Sequence, residues 1–201
     1  MLNIAVLVSG GGTNLQALLD AEKNGGLRSG RVALVVGSKE SANALTRARA
    51  AGVETAVLAK ERGESPVRYG QRLVSLLRTR SIDLIVLAGF LLILDACVIH
   101  AYEGRILNVH PSLIPAFCGE GFYGLKPHEA ALERGVNVTG ATVHLVNEIP
   151  DGGRILAQKA VEVLEGDTPE ILQRRVMEQA EWVLLPTETE KLAYKLMQER
   201  R

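Results

Sequence analysis

Met1-Leu-Asn-Ile-Ala-Val-Leu-Val-Ser9 runs straight into Gly10-Gly-Gly-Thr-Asn-Leu15, and Leu18, Leu19 and Glu22 follow at helical spacing. An apolar run of strand length, stopped by glycines and succeeded by an i, i+3, i+4 pattern, reads as strand, turn and helix. The unit recurs. Strand-length runs stand at residues 4–8, 32–36, 55–58 and 84–88. Between them Ala44, Leu45, Ala48 and Ala51, and then Tyr69, Leu73, Leu76 and Leu77, repeat the helical spacing, with Gly25, Gly52 and the Ser81-Ile82 pair as expected stops. Strands that alternate with helices build a parallel sheet with helices on its faces. The expectation is an α/β protein with a Rossmann-like, mostly parallel sheet flanked by helices, folded at 201 residues as a single domain.

Past Ile106 the rhythm changes. A strand runs into His110, a glycine-rich loop follows to Lys126, and a short helix is expected over 127–134. Two further strands are expected around 139–146 and 155–163, joined by Asn147-Glu-Ile-Pro-Asp-Gly-Gly153. Thr168 reads as a helix N-cap with Pro169 at the first helical position and Glu170 in the first turn. That helix should run on to the charged C-terminus, broken or kinked before Pro186.

Lys+Arg and Asp+Glu balance at 23 each and form no block of one sign, so no basic face for nucleic acid is expected and small-molecule partners fit better. Cys97 and Cys118 are too few and too badly spaced for a zinc site or a disulfide framework, which suits a reducing, cytoplasmic setting. The N-terminus lacks the basic start of a signal peptide. The longest apolar stretch, 84–94, is interrupted by Gly89 and closed by Asp95, too short to span a bilayer. No metal or membrane partner is expected, and a monomer or homodimer would serve.

Three features carry chemistry. In Ser9-Gly-Gly-Gly-Thr-Asn14, glycines free backbone N–H groups to face an anion at a helix N-terminus, which suits a phosphate. It does not suit a dinucleotide, because Leu15 replaces the third glycine and the second strand ends in Gly37-Ser38-Lys39 without an acid. The plainer alternative is a tight turn capped by Thr13 and Asn14. Second, Asn108 and His110 are two apart on one strand, so they share a face at its end. Third, Asp151-Gly-Gly153 can aim a carboxylate at a neighbouring imidazole, although Pro150-Asp-Gly-Gly is also a good β-turn. His144 alternates with Val143 and Leu145 as a sheet residue or a partner of Asp151. His100 and His128 read as structural or surface, and Trp182 with Leu184, Leu185 and Tyr194 as core packing.

Taken together, Ser9-Gly-Gly-Gly-Thr-Asn14, Leu87-Ala-Gly-Phe90, Leu107-Asn-Val-His-Pro-Ser-Leu-Ile-Pro115, Gly140-Ala-Thr-Val-His144 and Asp151-Gly-Gly resemble the phosphoribosylglycinamide formyltransferase family, folate-dependent enzymes of purine biosynthesis. The likeness runs from the first strand to about Pro186. It implies one formyltransferase domain over 1–201, with about 1–100 as a phosphate and ribonucleotide half and about 101–201 as a catalytic and folate half. It implies 10-formyltetrahydrofolate as co-substrate and glycinamide ribonucleotide as acceptor. Laid on matching positions, Gly12, Thr13 and Asn14 would hold the ribonucleotide phosphate, and Asn108, His110 and Asp151 would be catalytic, with His144 in support. Glu181, reached by counting back from Pro186, would contact the ribose, if one extra residue is accommodated between Arg175 and Glu181. The backbone of Leu91, Leu92, Ile93 and Leu94, together with Asn108, would hold the pterin.

Two departures stand out. Leu91-Leu92 replaces the family's frequent Met-Arg, removing an arginine that could pair with the folate's glutamate tail, and the loop from Phe117 to Lys126 is longer than the familiar Pro-Gly-Leu-His form. The implied chemistry is attack of an amine on a formyl carbon. Asn108 and a charged His110 would await the oxyanion, and Asp151 would keep His110 protonated and relay a proton. The alternatives are a 10-formyltetrahydrofolate hydrolase, whose usual extra N-terminal domain this length leaves no room for, and a non-catalytic nucleotide-binding module. Formyltransferases acting on initiator tRNA or sugar nucleotides explain the glycine loop less well.

Overall fold

The computed structural model describes residues 1–200, and its elements follow the chain as read. They are β1 (Leu2–Val8), α1 (Thr13–Lys23), β2 (Gly30–Gly37), α2 (Asn43–Ala50), β3 (Glu54–Val57), α3 (Pro66–Thr79), β4 (Leu84–Leu87), α4 (Ala96–Ala101) and β5 (Ile106–His110). Then come α5 (Lys126–Arg134), β6 (Val138–Leu145), β7 (Ile155–Glu162), α6 (Pro169–Val176), a π-helical turn (Met177–Glu181) and α7 (Trp182–Glu199). Every residue of β1 except Asn3 is buried, as its apolar run requires. Alternate residues enter opposite layers: Ile4, Val6 and Val8 pack with Leu15, Leu18 and Leu45 of α1 and α2, while Ala5 and Leu7 pack with Leu73, Leu77 and Val98 of α3 and α4.

The seven strands form one sheet in the order β3-β2-β1-β4-β5-β6-β7. β1 to β5 run parallel, and β6 and β7 are antiparallel to their neighbours. The chain steps outward from β1 through β2 to β3, then returns to the other side of β1 at β4. Such a reversal leaves a crevice beyond the carboxyl ends of the two central strands. The glycine loop after β1, the Gly89 turn after β4 and the end of β5 all open there.

The expected stops hold. Gly25 and Gly52 take left-handed φ just past α1 and α2, and Ser81, φ 50°, does so after α3. The Thr168 hydroxyl caps α6 by accepting from the Ile171 N–H at 3.3 Å. The break before Pro186 takes the form of the π turn, after which α7 continues through Pro186. Pro186 has no N–H to donate to the carbonyl four residues back, which weakens the ladder where the turn widens. Tyr194 departs from expectation: it lies on the outer face of α7 and is 54% exposed, while Leu185 enters the core. Trp182 is half-buried in a groove against α1, beside Gln16 and Ala17. No helix among the described residues is long and apolar enough to cross a membrane.

Candidate active site

β5 ends the sheet's parallel run with Asn108 and His110 on one face, and the antiparallel β6 sets His144 directly opposite Asn108. This register brings the Asn108 amide nitrogen to 3.0 Å from His144 Nε2. His144 is fixed in turn by donation from Nδ1 to the Leu145 carbonyl at 2.9 Å. Asp151 enters from the turn between β6 and β7. Its backbone is left-handed, φ 54°, and Gly153 behind it must be glycine, because a Cβ there would lie 1.7 Å from the Leu145 carbonyl oxygen. A constrained backbone of this kind is maintained by its surroundings and recurs at functional sites.

The carboxylate so placed meets both histidines. Oδ2 lies 3.3 Å from His110 Nδ1 and accepts from the Gly119 N–H at 2.9 Å, and Oδ1 lies 3.4 Å from His144 Nε2 and accepts from Asn108 Nδ2 at 3.3 Å. Burial works to raise the Asp151 carboxyl, but the His144 contact, the His110 ring and the Gly119 N–H outweigh it and leave it below its ordinary value.

His110 Nε2 donates to the Phe117 carbonyl at 2.9 Å. Asp151 favours the charged form of this ring, as expected, and burial opposes it. Burial pushes the His110 imidazole below its ordinary value of 6.5, and Asp151 and the Phe117 carbonyl offset that only in part. Because both ring nitrogens face oxygen acceptors, a neutral ring turns one lone pair toward an oxygen whichever tautomer it holds. Taking up a proton relieves that mismatch, so the ring is poised as a base. Asn108 Nδ2 is likewise flanked by two groups, His144 Nε2 at 3.0 Å and Asp151 Oδ1 at 3.3 Å. The longer Asp151 contact is the weaker of the two and the one a stronger acceptor can displace.

On the other side stands the glycine loop. No side chain caps the N-terminus of α1, which leaves first-turn N–H groups outward-facing at its positive end. Asn14 donates from Nδ2 to Glu181 Oε2 at 2.5 Å, and its Oδ1 is buried without a partner, an acceptor available to a donor in the cleft. Glu181 is buried, and desolvation raises its carboxyl from 4.5 to about 7 despite the Asn14 hydrogen bond. It closes the π turn, whose i→i+5 pattern holds one more residue than an α turn. Thr13 reaches the same turn through Met177 Sδ at 3.6 Å. Gly12 has a packing role that its motif did not disclose: φ is 77°, and a Cβ would stand 2.6 Å from that of Ala44.

Asn14, Glu181, Asn108, His110 and Asp151 line one cleft of about 400 Å³, together with Leu91, Leu92 and Ile93. Gly12, Thr13, Leu94 and His144 do not line it. Leu94 is buried in the core beside α4, and His144 stands behind Asn108. The segment after Gly89 is held against the glycine loop, since the Leu91 N–H donates to Ser9 Oγ at 3.0 Å. The 119–124 loop forms the cleft's remaining wall. Sequence reasoning missed two main-chain links from the 117–126 loop to the site, the Phe117 carbonyl and the Gly119 N–H, and only the glycine density of the loop hinted at them. His128 is fully buried with neither ring nitrogen partnered, and burial and nearby His110 push it down to about 4. His100 is exposed and pairs with Glu148 at 2.8 Å.

The pattern of the formyl transferase family matches residues 2–187. The chloroplastic phosphoribosylglycinamide formyltransferase of Arabidopsis thaliana is 42% identical over 175 residues, 87% of this chain and 60% of that protein. The phosphoribosylglycinamide formyltransferase of Escherichia coli (strain K12) is 39% identical over 178 residues, 89% of this chain and 81% of that protein. The chain thus spans less than two thirds of the plant relative's length. Among solved structures, that of glycinamide ribonucleotide transformylase 1 from Symbiobacterium toebii superposes with a TM-score of 0.90 at 41% identity, covering 97% of this chain and 89% of that one. Sheet order, cleft and these likenesses agree, and the chain belongs to the formyl transferase family.

Proposed function

We propose that this protein transfers the formyl group of 10-formyltetrahydrofolate to the primary amine of glycinamide ribonucleotide, giving formylglycinamide ribonucleotide and tetrahydrofolate, a step of purine biosynthesis. The observation that carries the reading is the shared cleft, where the Asn14–Glu181 pair, the Leu91–Ile93 backbone and the Asn108, His110 and Asp151 side chains converge. The glycine loop, through Gly12, Thr13 and Asn14, takes the phosphate; Glu181 and the Asn14 Oδ1 take ribose hydroxyls. Leu91, Leu92, Ile93 and Leu94 hold the pterin through their backbone, with Asn108 adjoining. The first hundred residues supply most of the ribonucleotide cradle and the rest most of the catalytic groups, and the protein acts on small molecules as a monomer or homodimer in the cytoplasm.

In the reaction the amine nitrogen bonds to the formyl carbon, and the carbonyl electron pair moves to oxygen. Asn108 Nδ2 turns from Asp151 to that oxyanion, with a donor distance of about 2.7–3.1 Å required for stabilisation. His110 takes the proton released by the attacking nitrogen, and Asp151 balances the charge formed on the ring. The proton then goes to N10 of the folate as the bond from N10 to the formyl carbon breaks. His144 positions Asn108 and Asp151.

Tetrahydrofolate release from 10-formyltetrahydrofolate, measured with and without glycinamide ribonucleotide, tests the reading. Release only with the ribonucleotide supports it. Release without it identifies a hydrolase, and none in either case a binding module.

A further inference from the structure

The freedom that lets three glycines form a tight turn also leaves their peptide planes free to rotate, so a group outside the loop must set which way each N–H points. Here α2 does so, one glycine at a time. The Ala44 N–H donates to the Gly10 carbonyl at 3.1 Å, and Arg47 Nε donates to the Gly11 carbonyl at 2.9 Å. Ala44 then packs against Gly12, where an added Cβ would lie 2.6 Å from its own. Arg47 is exposed, yet it is held at a second point, because another guanidinium nitrogen donates to Gln16 Oε1 at 3.2 Å. Gln16 is fixed in turn by donation from its Nε2 to Asp20 Oδ1 at 3.0 Å.

The carbonyl and N–H of one trans peptide point opposite ways. With the Gly10 and Gly11 carbonyls drawn to α2, the N–H groups of Gly11 and Gly12 turn away from it, and neither finds an acceptor among the described residues. Asn14, two residues further on, lines the cleft and keeps Oδ1 buried without a partner, a separate sign that a ligand belongs on this side of the loop. We propose, resting on the reading above, that Arg47 is a positioning residue: it holds the Gly11 carbonyl and so aims the Gly12 N–H at the ribonucleotide phosphate. It acts through the loop and through the two-point grip of its planar fork, which a lysine ammonium does not reproduce. A loop set in advance spares the ligand the cost of ordering two glycine peptides.

The test compares glycinamide ribonucleotide with its dephosphorylated riboside as acceptors in the wild type, Arg47→Met and Arg47→Lys. Arg47→Met should raise KM for the ribonucleotide about tenfold, the worth of one charge-assisted hydrogen bond at an exposed site. In that variant kcat, KM for 10-formyltetrahydrofolate and KM for the riboside should stay within about twofold of the wild type, a split that a general loss of structure would not give. Arg47→Lys, which keeps the charge but not the fork, should leave KM for the ribonucleotide at least about threefold raised. An unchanged KM in Arg47→Met, equal losses for ribonucleotide and riboside, or full recovery in Arg47→Lys each overturns the proposal. Titration of ribose 5-phosphate, followed by NMR through the Gly11 and Gly12 amide resonances, reads the loop without turnover. Both resonances should move in the wild type, and Arg47→Met should need about tenfold more ligand for the same shift; amides that stay still in the wild type, or equal titrations, overturn it. Absence of formyl transfer would therefore sink the functional reading while this titration still decides the role of Arg47.

Discussion

Replacing Glu181 by Gln separates what the fold requires from what the site requires. The carboxyl rises from 4.5 to about 7 because burial disfavours its charged form. The folded state therefore binds the proton more tightly than the unfolded chain does. Its stabilising contribution is complete below 4.5 and is lost as pH rises through about 7. The rise corresponds to about 3 kcal/mol between the two limits. Glutamine keeps the shape, can still accept from Asn14 Nδ2, and never ionises. The variant should match the wild type near pH 5 and exceed it near pH 8 by up to about 3 kcal/mol, or about 10 °C in Tm for a chain of this size. Urea unfolding of both proteins across that range reads the difference directly. KM for the ribonucleotide should rise in the same variant, since a neutral amide is a weaker acceptor for ribose hydroxyls than a carboxylate. Parallel pH dependences in wild type and variant would refute the argument, showing that Glu181 is not desolvated in the folded protein.

His110→Ala and Asp151→Asn should each lower turnover by at least about 100-fold with circular dichroism unchanged, and near-normal rates would remove that residue from the mechanism. Since burial depresses His110, the acid limb of kcat/KM should fall below 6.5, and a limb above it would contradict the assignment of a neutral base. His128, held at about 4, binds protons more tightly when unfolded, so its stabilising contribution is full above 6.5 and drains as pH falls through about 4. His128→Phe should flatten the acid side of the stability profile by about 3 kcal/mol, and an unchanged profile would place the acid sensitivity elsewhere. Gly12→Ala should destabilise the protein by about 1–3 kcal/mol in urea, because its Cβ collides with Ala44 at a left-handed φ. Selective loss of ribonucleotide affinity with full stability would return Gly12 to a purely ligand-binding role.

Local pattern made the frame legible. The apolar runs and glycine stops of β1, α1 and β2 are properties of neighbouring residues, and so is the Thr168-Pro169 start of α6. The pairing of Asn108 with His110 follows from strand alternation alone. What the sequence could not disclose depends on groups far apart along the chain. Whether His110 is charged is decided by its burial and by the carbonyl of Phe117, which no side-chain pattern encodes. The engagement of Asn108 by His144 needs the β5–β6 register, and the link between Asn14 and Glu181 needs the docking of the π turn on α1. The packing constraint on Gly12 was not legible because Ala44, which imposes it, lies in the next helix. Tyr194 was misplaced because α7 has one buried face, set by packing against α1 and β6, and the residue falls off it.

The most direct measurement follows the transferred carbon itself. With the formyl carbon of 10-formyltetrahydrofolate isotopically labelled and glycinamide ribonucleotide present, NMR should show the label in the new amide, one equivalent per tetrahydrofolate formed. Label accumulating as free formate, or remaining on the folate, would contradict the claim that nucleophile and formyl donor meet in this cleft.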